Sequence, residues 1–160
     1  MAIDRVVSID STRDAEFSEF YEREHALQVR RAIVLVRSNE VANDLVHDAM
    51  IEVFRRWDRL DEPGGYLNCA VLNRCRDFGR RSQAQHRLLS KLVHGDSHPG
   101  PQEPLGELLD RLPFNQRAAV VLRFYSGFSI AEIAAALDCR QGSVGPWIDR
   151  ALKSLKECLP

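Results

Sequence analysis

The 160 residues contain no apolar run long enough to cross a bilayer, no Cys-x-x-Cys pair, no His-Glu-x-x-His and no glycine loop ending in Lys-Ser/Thr. Each absence removes a class of protein. A spanning helix needs about 20 mostly apolar residues, and none is present. The first ten residues lack the basic and apolar stretches of a signal peptide, so no membrane role is expected and the cytoplasm is the expected compartment. Cys69, Cys75, Cys139 and Cys158 are spaced neither as a zinc ribbon nor as a redox pair, and reduced thiols are expected. Gly64-Gly65 lacks the spacing of a phosphate-binding loop. His94, Asp96 and His98 are interrupted by Gly95 and followed by Pro99, which do not frame a rigid metal site. With no Ser/His/Asp set either, the chain reads as neither an enzyme nor a metalloprotein, and no cofactor is expected.

What is present is helical patterning and an uneven charge distribution. Net charge is −1, which argues against indiscriminate coating of nucleic acid. From Asp10 to Glu62 there are 13 acidic and 8 basic residues, whereas Tyr66 to Leu92 carries six basic residues against Asp77 alone. An acidic face followed by a basic helix suits one protein partner and one polyanion, although two solvated helix faces would look the same.

The most informative stretch runs from Leu112 to Leu159. Pro113 fits the first turn of a helix, Ala118, Val121, Leu122 and Tyr125 recur at helical spacing, and Gly127 closes it. Ser129 and Glu132 form a capping box ahead of Ile130, Ile133, Ala134 and Leu137. After a tight turn at Leu137-Asp138-Cys139, a second helix places Val144, Ile148, Ala151, Leu152 and Leu155 inward. Two short helices joined tightly behind a longer one read as a helix-turn-helix.

Upstream, Met1 to Ser11 shows no clear pattern and is expected to be a loose arm, with a helix starting at Ser11, Thr12 or Asp14. Phe17, Phe20, Tyr21, Leu27, Ile33 and Val36 mark its core side. Ser38-Asn39-Glu40 interrupts it. A second helix carries Ala42, Leu45, Val46, Ala49, Met50, Val53, Phe54 and Trp57 at a 3.6-residue period, with Asp44, Asp48 and Glu52 as an acidic ridge on its other side. Arg59 to Gly65 reads as a turn-rich loop. A third helix starts near Tyr66, with Leu67, Ala70, Val71, Cys75 and Phe78 inward. Ser82 to Pro104 joins the halves: Gln83 to Val93 extends that helix, and the Gly/Pro-rich remainder is expected to be a flexible tether.

The C-terminal segment resembles the corresponding domain of bacterial extracytoplasmic-function sigma factors. The likeness rests on Leu112-Pro113, Gln116-Arg117, Leu122-Arg123-Phe124-Tyr125, Gly127, Ser129, Glu132-Ile133-Ala134, Leu137, Ser143-Val144 and Arg150-Ala151-Leu152. Asp44-Leu45-Val46-His47-Asp48-Ala49, Phe54, Trp57, Pro63 to Leu67, Asn73, Asp77 and Arg80-Arg81 are similar to the N-terminal domain of the same family. The resemblance implies an all-α chain of two small helical domains joined by a flexible linker. The domains are expected at 1–82, which binds the polymerase clamp and the minus-ten element, and at 105–160, whose helix-turn-helix binds the minus-thirty-five element, with 83–104 as linker.

The same resemblance implies core RNA polymerase and promoter DNA as partners, and an anti-sigma factor as a regulator. Asp44, Asp48 and Glu52 would meet polymerase. Tyr66, Asn68, Asn73, Arg74, Arg76, Arg80 and Arg81 would serve the minus-ten element, Tyr66 packing on an exposed base, the asparagines reading base edges and the arginines holding phosphates. Arg140, Gln141, Ser143, Trp147, Arg150 and Lys153 would serve the minus-thirty-five element, with Arg117 and Arg123 in support. The chain departs from the family at Gly145-Pro146-Trp147, where Lys-Ser-Arg is common. Because proline is costly inside a helix, Ser143 is expected as N-cap with Pro146 in the first turn. Trp147 is left with three readings: a contact to DNA, packing on a protein partner, or filling the core. A second overall reading is a sigma-like interaction protein with weakened upstream DNA recognition.

Overall fold

Residues 2–36 hold neither proline nor glycine, and in the computed structural model they form one unbroken helix, α1 (Ala2–Val36). The structure describes residues 2–92 and 104–159. The expected loose arm is therefore the first turns of α1. The cap-type residues Ser11, Thr12 and Asp14 start nothing, because a cap acts only where extended backbone enters a helix. Phe20, Gln28, Ala32 and Leu35 are buried, whereas Leu27 is 43% exposed. The spacing 28, 32, 35 sets the core face and turns Leu27 off it.

Arg37 adopts a left-handed backbone (φ 60°), and Ser38 accepts a bond from the Val41 N–H at 3.2 Å, opening α2 (Asn39–Arg56). Ala42, Val46, Ala49, Met50 and Val53 are buried against α1. Edge-on ring contacts tie Phe17 to Phe54 at 4.9 Å and Phe20 to Trp57 at 5.2 Å. A short 3-10 turn (Trp57–Arg59) leads to α3 (Pro63–Leu92). This helix begins earlier than expected: Pro63, Gly64 and Gly65 form its first turn, where a missing N–H costs nothing. Leu67, Ala70, Val71, Leu72 and Cys75 face the core, while residues 81–89 are all exposed as α3 projects beyond it. Most of the expected tether lies outside the described residues.

The chain resumes in α4 (Pro104–Asp110) and α5 (Phe114–Val120), with Pro113 as the N-cap just outside α5 rather than in its first turn. A π-helical turn (Val121–Tyr125) follows. Its wider winding leaves Tyr125 57% exposed, off the apolar face expected for it. Gly127 closes the segment at φ 71°, letting the Phe128 N–H reach the Leu122 carbonyl at 2.9 Å.

The capping box of α6 (Ile130–Ala136) is complete. Glu132 N–H donates to Ser129 Oγ at 3.2 Å, and Ser129 N–H donates to Glu132 Oε2 at 2.7 Å. Ser129→Ala is expected to cost about 1 kcal/mol in a urea titration. Asp138, at φ 51°, makes the tight turn, and the Cys139 N–H returns to the Ala134 carbonyl at 3.0 Å.

α7 (Gln141–Cys158) starts earlier than expected, with Arg140 and not Ser143 as N-cap. Pro146 is thus inside the helix and not in its first turn. The carbonyl its ring must avoid belongs to Gly142, which has open space around it and can tilt away. Val144, Ile148 and Ala151 are buried, and Leu152 is 42% exposed, a correction that follows from the i, i+4, i+7 face those three define.

The two halves share one hydrophobic core. A continuous cluster of buried side chains runs from Phe20 and Ala32 through Val46, Met50, Leu67 and Val71 to Leu122, Ile133, Val144 and Ile148. Arg37 seals one edge: its guanidinium reaches Asp110 at 3.7 Å and lies where a Cβ on residue 106 would be, so Gly106 permits the approach.

Candidate nucleic-acid interface

Glu52 lies on α2 one turn beyond Asp48, but unlike Asp44 and Asp48 it is not free on the surface. Its Oε1 accepts from the Tyr66 hydroxyl and its Oε2 from Arg74 Nη2 at 2.6 Å, with Arg56 Nη2 at 3.5 Å. One carboxylate therefore fixes two of the side chains expected at the minus-ten element. Hydrogen bonds from Tyr66 and then Arg74 hold the Glu52 pKa below the ordinary glutamate value, and the Glu52 bond pushes the Tyr66 pKa up. A carboxylate with a depressed folded pKa stabilises the fold above its unfolded pKa of about 4.3 and loses that contribution as pH falls through the folded value. Urea midpoints of the protein and of Glu52→Gln are expected to differ at pH 7 and to converge as pH drops below that range.

Asn68 is also committed internally. Its Oδ1 accepts from Gln28 Nε2 at 2.6 Å and from Arg31 Nη1 at 2.9 Å. Arg31 continues across the domain boundary: its Nε donates to Ser126 Oγ at 2.8 Å, and its guanidinium lies 4.7 Å from the Phe128 ring centre. Burial pulls the Arg31 pKa down, partly offset by Glu24. Sequence reasoning passes over Gln28 and Arg31. The signal is there, since both polar residues interrupt the Ala32–Leu35 core face of α1.

Asn73, Arg80 and Arg81 are exposed on α3. Asn73 accepts from Arg76 Nη1 at 3.2 Å, and Arg76 also donates to Asn115 Oδ1 of the C-terminal half at 3.2 Å. Between the halves a cleft of about 700 Å³ has Leu60, Glu62, Tyr66 and Asn68 on one wall and Phe128, Glu132 and Ala136 on the other. The segment expected to receive an extruded base thus faces α6 in this arrangement.

In the helix-turn-helix, Arg140, Gln141, Arg150 and Lys153 are exposed on α7 or at its start, and Ser143 is half-buried. Arg150 Nε donates to the Pro146 carbonyl at 3.1 Å. Trp147 is half-buried and packs on the shared core. Arg123 donates to the Phe128 carbonyl at 2.9 Å, and Arg117, with a side chain only 12% exposed, is held inside the fold near Asp110 at 3.4 Å.

Two family models match this arrangement in chain order: sigma-70 region 2 over residues 20–85 and sigma-70 region 4 over residues 102–155. The ECF RNA polymerase sigma factor SigM of Mycobacterium tuberculosis is 31% identical over 152 residues, covering 89% of this chain and 76% of that protein. The chain belongs to the extracytoplasmic-function sigma factor family. The RNA polymerase sigma-E factor of Streptomyces avermitilis is 27% identical over 150 residues, covering 89% of this chain and 84% of its own. The fold of this sigma factor is shared with RpoE of Bartonella quintana, solved in complex with the anti-sigma factor NepR, at a TM-score of 0.69 and 24% identity over 89% of this chain and 95% of that one. CnrH, solved with the cytosolic domain of CnrY, also gives a TM-score of 0.69, at 22% identity over 90% and 87% of the two chains. As a sigma subunit, the protein directs transcription initiation. Among the described residues no helix is long and apolar enough to cross a membrane.

Proposed function

We propose that this sigma factor divides its work between residues 1–82, which bind the polymerase clamp and the minus-ten element, and residues 105–160, which bind the minus-thirty-five element, joined by 83–104. The observation that supports the division best is the ordered match of region 2 and region 4 to the two halves. Exposed Asp44 and Asp48 meet core RNA polymerase, and Glu52 braces Tyr66 and Arg74 from behind. Asn73, Arg80 and Arg81 meet promoter DNA directly, and Arg76 and Asn68 join them once the halves part. Arg140, Gln141, Arg150 and Lys153 face the upstream element, with Ser143 and Trp147 beneath them. The reading includes an anti-sigma partner, as recorded for RpoE and CnrH, and a cytoplasmic location without catalytic activity.

Distances require an opening. Two elements about 25 base pairs apart are separated by about 85 Å of duplex. A compact chain of this length has a radius of gyration of about 15 Å. The closed molecule therefore covers one element at a time. Residues 93–103 span at most about 40 Å when extended, which lets the halves separate while staying joined.

Transcription by core RNA polymerase from a pool of randomised promoters tests the proposal. Enrichment at both elements is expected. Enrichment at the minus-ten element alone would favour the second reading, weakened upstream recognition, to which half-buried Trp147 and the cation-poor Gly145-Pro146 point. Absence of any promoter-specific transcript would overturn both.

A further inference from the structure

A second cleft, of about 370 Å³, lies further along α3 between the two halves, and its composition is unlike that of the first. Arg76 and Arg80 of α3 line one wall, and Phe114, Asn115, Arg117 and Trp147 line the other. Three guanidinium groups thus converge on a concave surface, and its described lining contains no carboxylate. Asp110, which pairs with Arg117 at 3.4 Å, is shared with Arg37 at 3.7 Å. The Arg117 side chain is largely enclosed in the cleft wall, which holds its position.

The uncharged residues narrow the ligand. Arg76 and Arg117 lie over the Phe114 ring, 5.2 and 5.8 Å from its centre, so that ring is already occupied. Trp147 remains as a flat apolar wall, with the amide of Asn115 nearby. Guanidinium groups for phosphate, an indole for a planar base and an amide for its edge are the elements of nucleotide recognition. The volume falls in the range of small-molecule sites.

We propose that this cleft binds a nucleoside di- or triphosphate, with phosphates on Arg76, Arg80 and Arg117 and the base against Trp147. This accounts for the cation-poor recognition helix: Trp147 stands where the family commonly has a cation because it serves the cleft. Since the walls come from both halves, the ligand stabilises the closed arrangement and raises Tm by mass action.

The test uses the full chain and calorimetric titration with ADP, pyrophosphate and a 12-base-pair duplex, while NMR follows the Trp147 indole N–H. Gly79→Leu is the decisive variant. A Cβ at Gly79 meets nothing within 4 Å, and leucine is the better helix former, so the variant fills the cleft while leaving all three arginines in place. Arg80→Gln is the second variant, which removes one of the three cations at an exposed position and is read by ADP binding alone. ADP binding with a shifted Trp147 signal, weakened about tenfold or more by each variant, is expected. Three results would overturn the proposal: no ADP binding, ADP binding untouched by Gly79→Leu, or pyrophosphate binding as tightly as ADP. A duplex that displaces ADP and is equally weakened by Gly79→Leu would assign the cleft to DNA instead.

Discussion

Reversing the charge of the acidic ridge with Asp44→Arg and Asp48→Arg together is expected to weaken core polymerase binding about a hundredfold without loss of fold stability. Both residues are exposed on α2, four apart and so on one helical face, and neither supports the core. Substitutions at such surface positions shift stability by about 0.5 kcal/mol or less. At an interface the same change replaces two attractions with two repulsions, and like-charge juxtaposition costs several kcal/mol. A hundredfold loss corresponds to about 2.7 kcal/mol, well inside that range. Fluorescence anisotropy of the labelled sigma factor against core polymerase measures it, and the loss should shrink as salt rises. The contrast with Glu52→Gln is informative, because that change acts through Tyr66 and Arg74 and should disturb promoter melting more than polymerase affinity.

Leu122→Ala is expected to destabilise the protein by about 3 kcal/mol, a large share of the 5–15 kcal/mol typical of a domain. Leu122 is 1% exposed and belongs to the cluster that includes Val46, Met50 and Leu67 of the N-terminal half. The cavity therefore opens in a core that both halves use. Urea unfolding followed by far-ultraviolet dichroism should show one transition, shifted as a whole, in protein and variant alike. A two-step curve in which only the second step moves would mean that each half folds on its own core.

Much of the helical architecture is legible in the amino-acid sequence. The period of Ala42 to Val53, the Ser38 break, the Ser129–Glu132 box and the Gly127 stop are local signals, and local energetics decide them. The misplacements have physical causes as well. Cap-type residues near Ser11 initiate nothing inside a continuous helix. Pro63 and Pro146 both read as punctuation, yet the first costs nothing at a helix start and the second is accommodated over Gly142. The site residues are less legible than the helices. Whether Glu52 or Asn68 faces solvent depends on partners 14 to 40 residues away, and no periodicity encodes those. Arg31 and Gln28 do leave a trace, as polar residues on an apolar stripe, and that trace marks the seam between the halves.

The central claim is that one molecule, closed on a shared core, opens to set each half on its own promoter element. Energy transfer between dyes on Cys158, which is exposed near the end of α7, and on an introduced Glu19→Cys on α1 tests it most directly. The account predicts high transfer in the free sigma factor and its near disappearance in a transcribing complex with core polymerase and a selected promoter. Transfer unchanged between the free protein and that complex would contradict it.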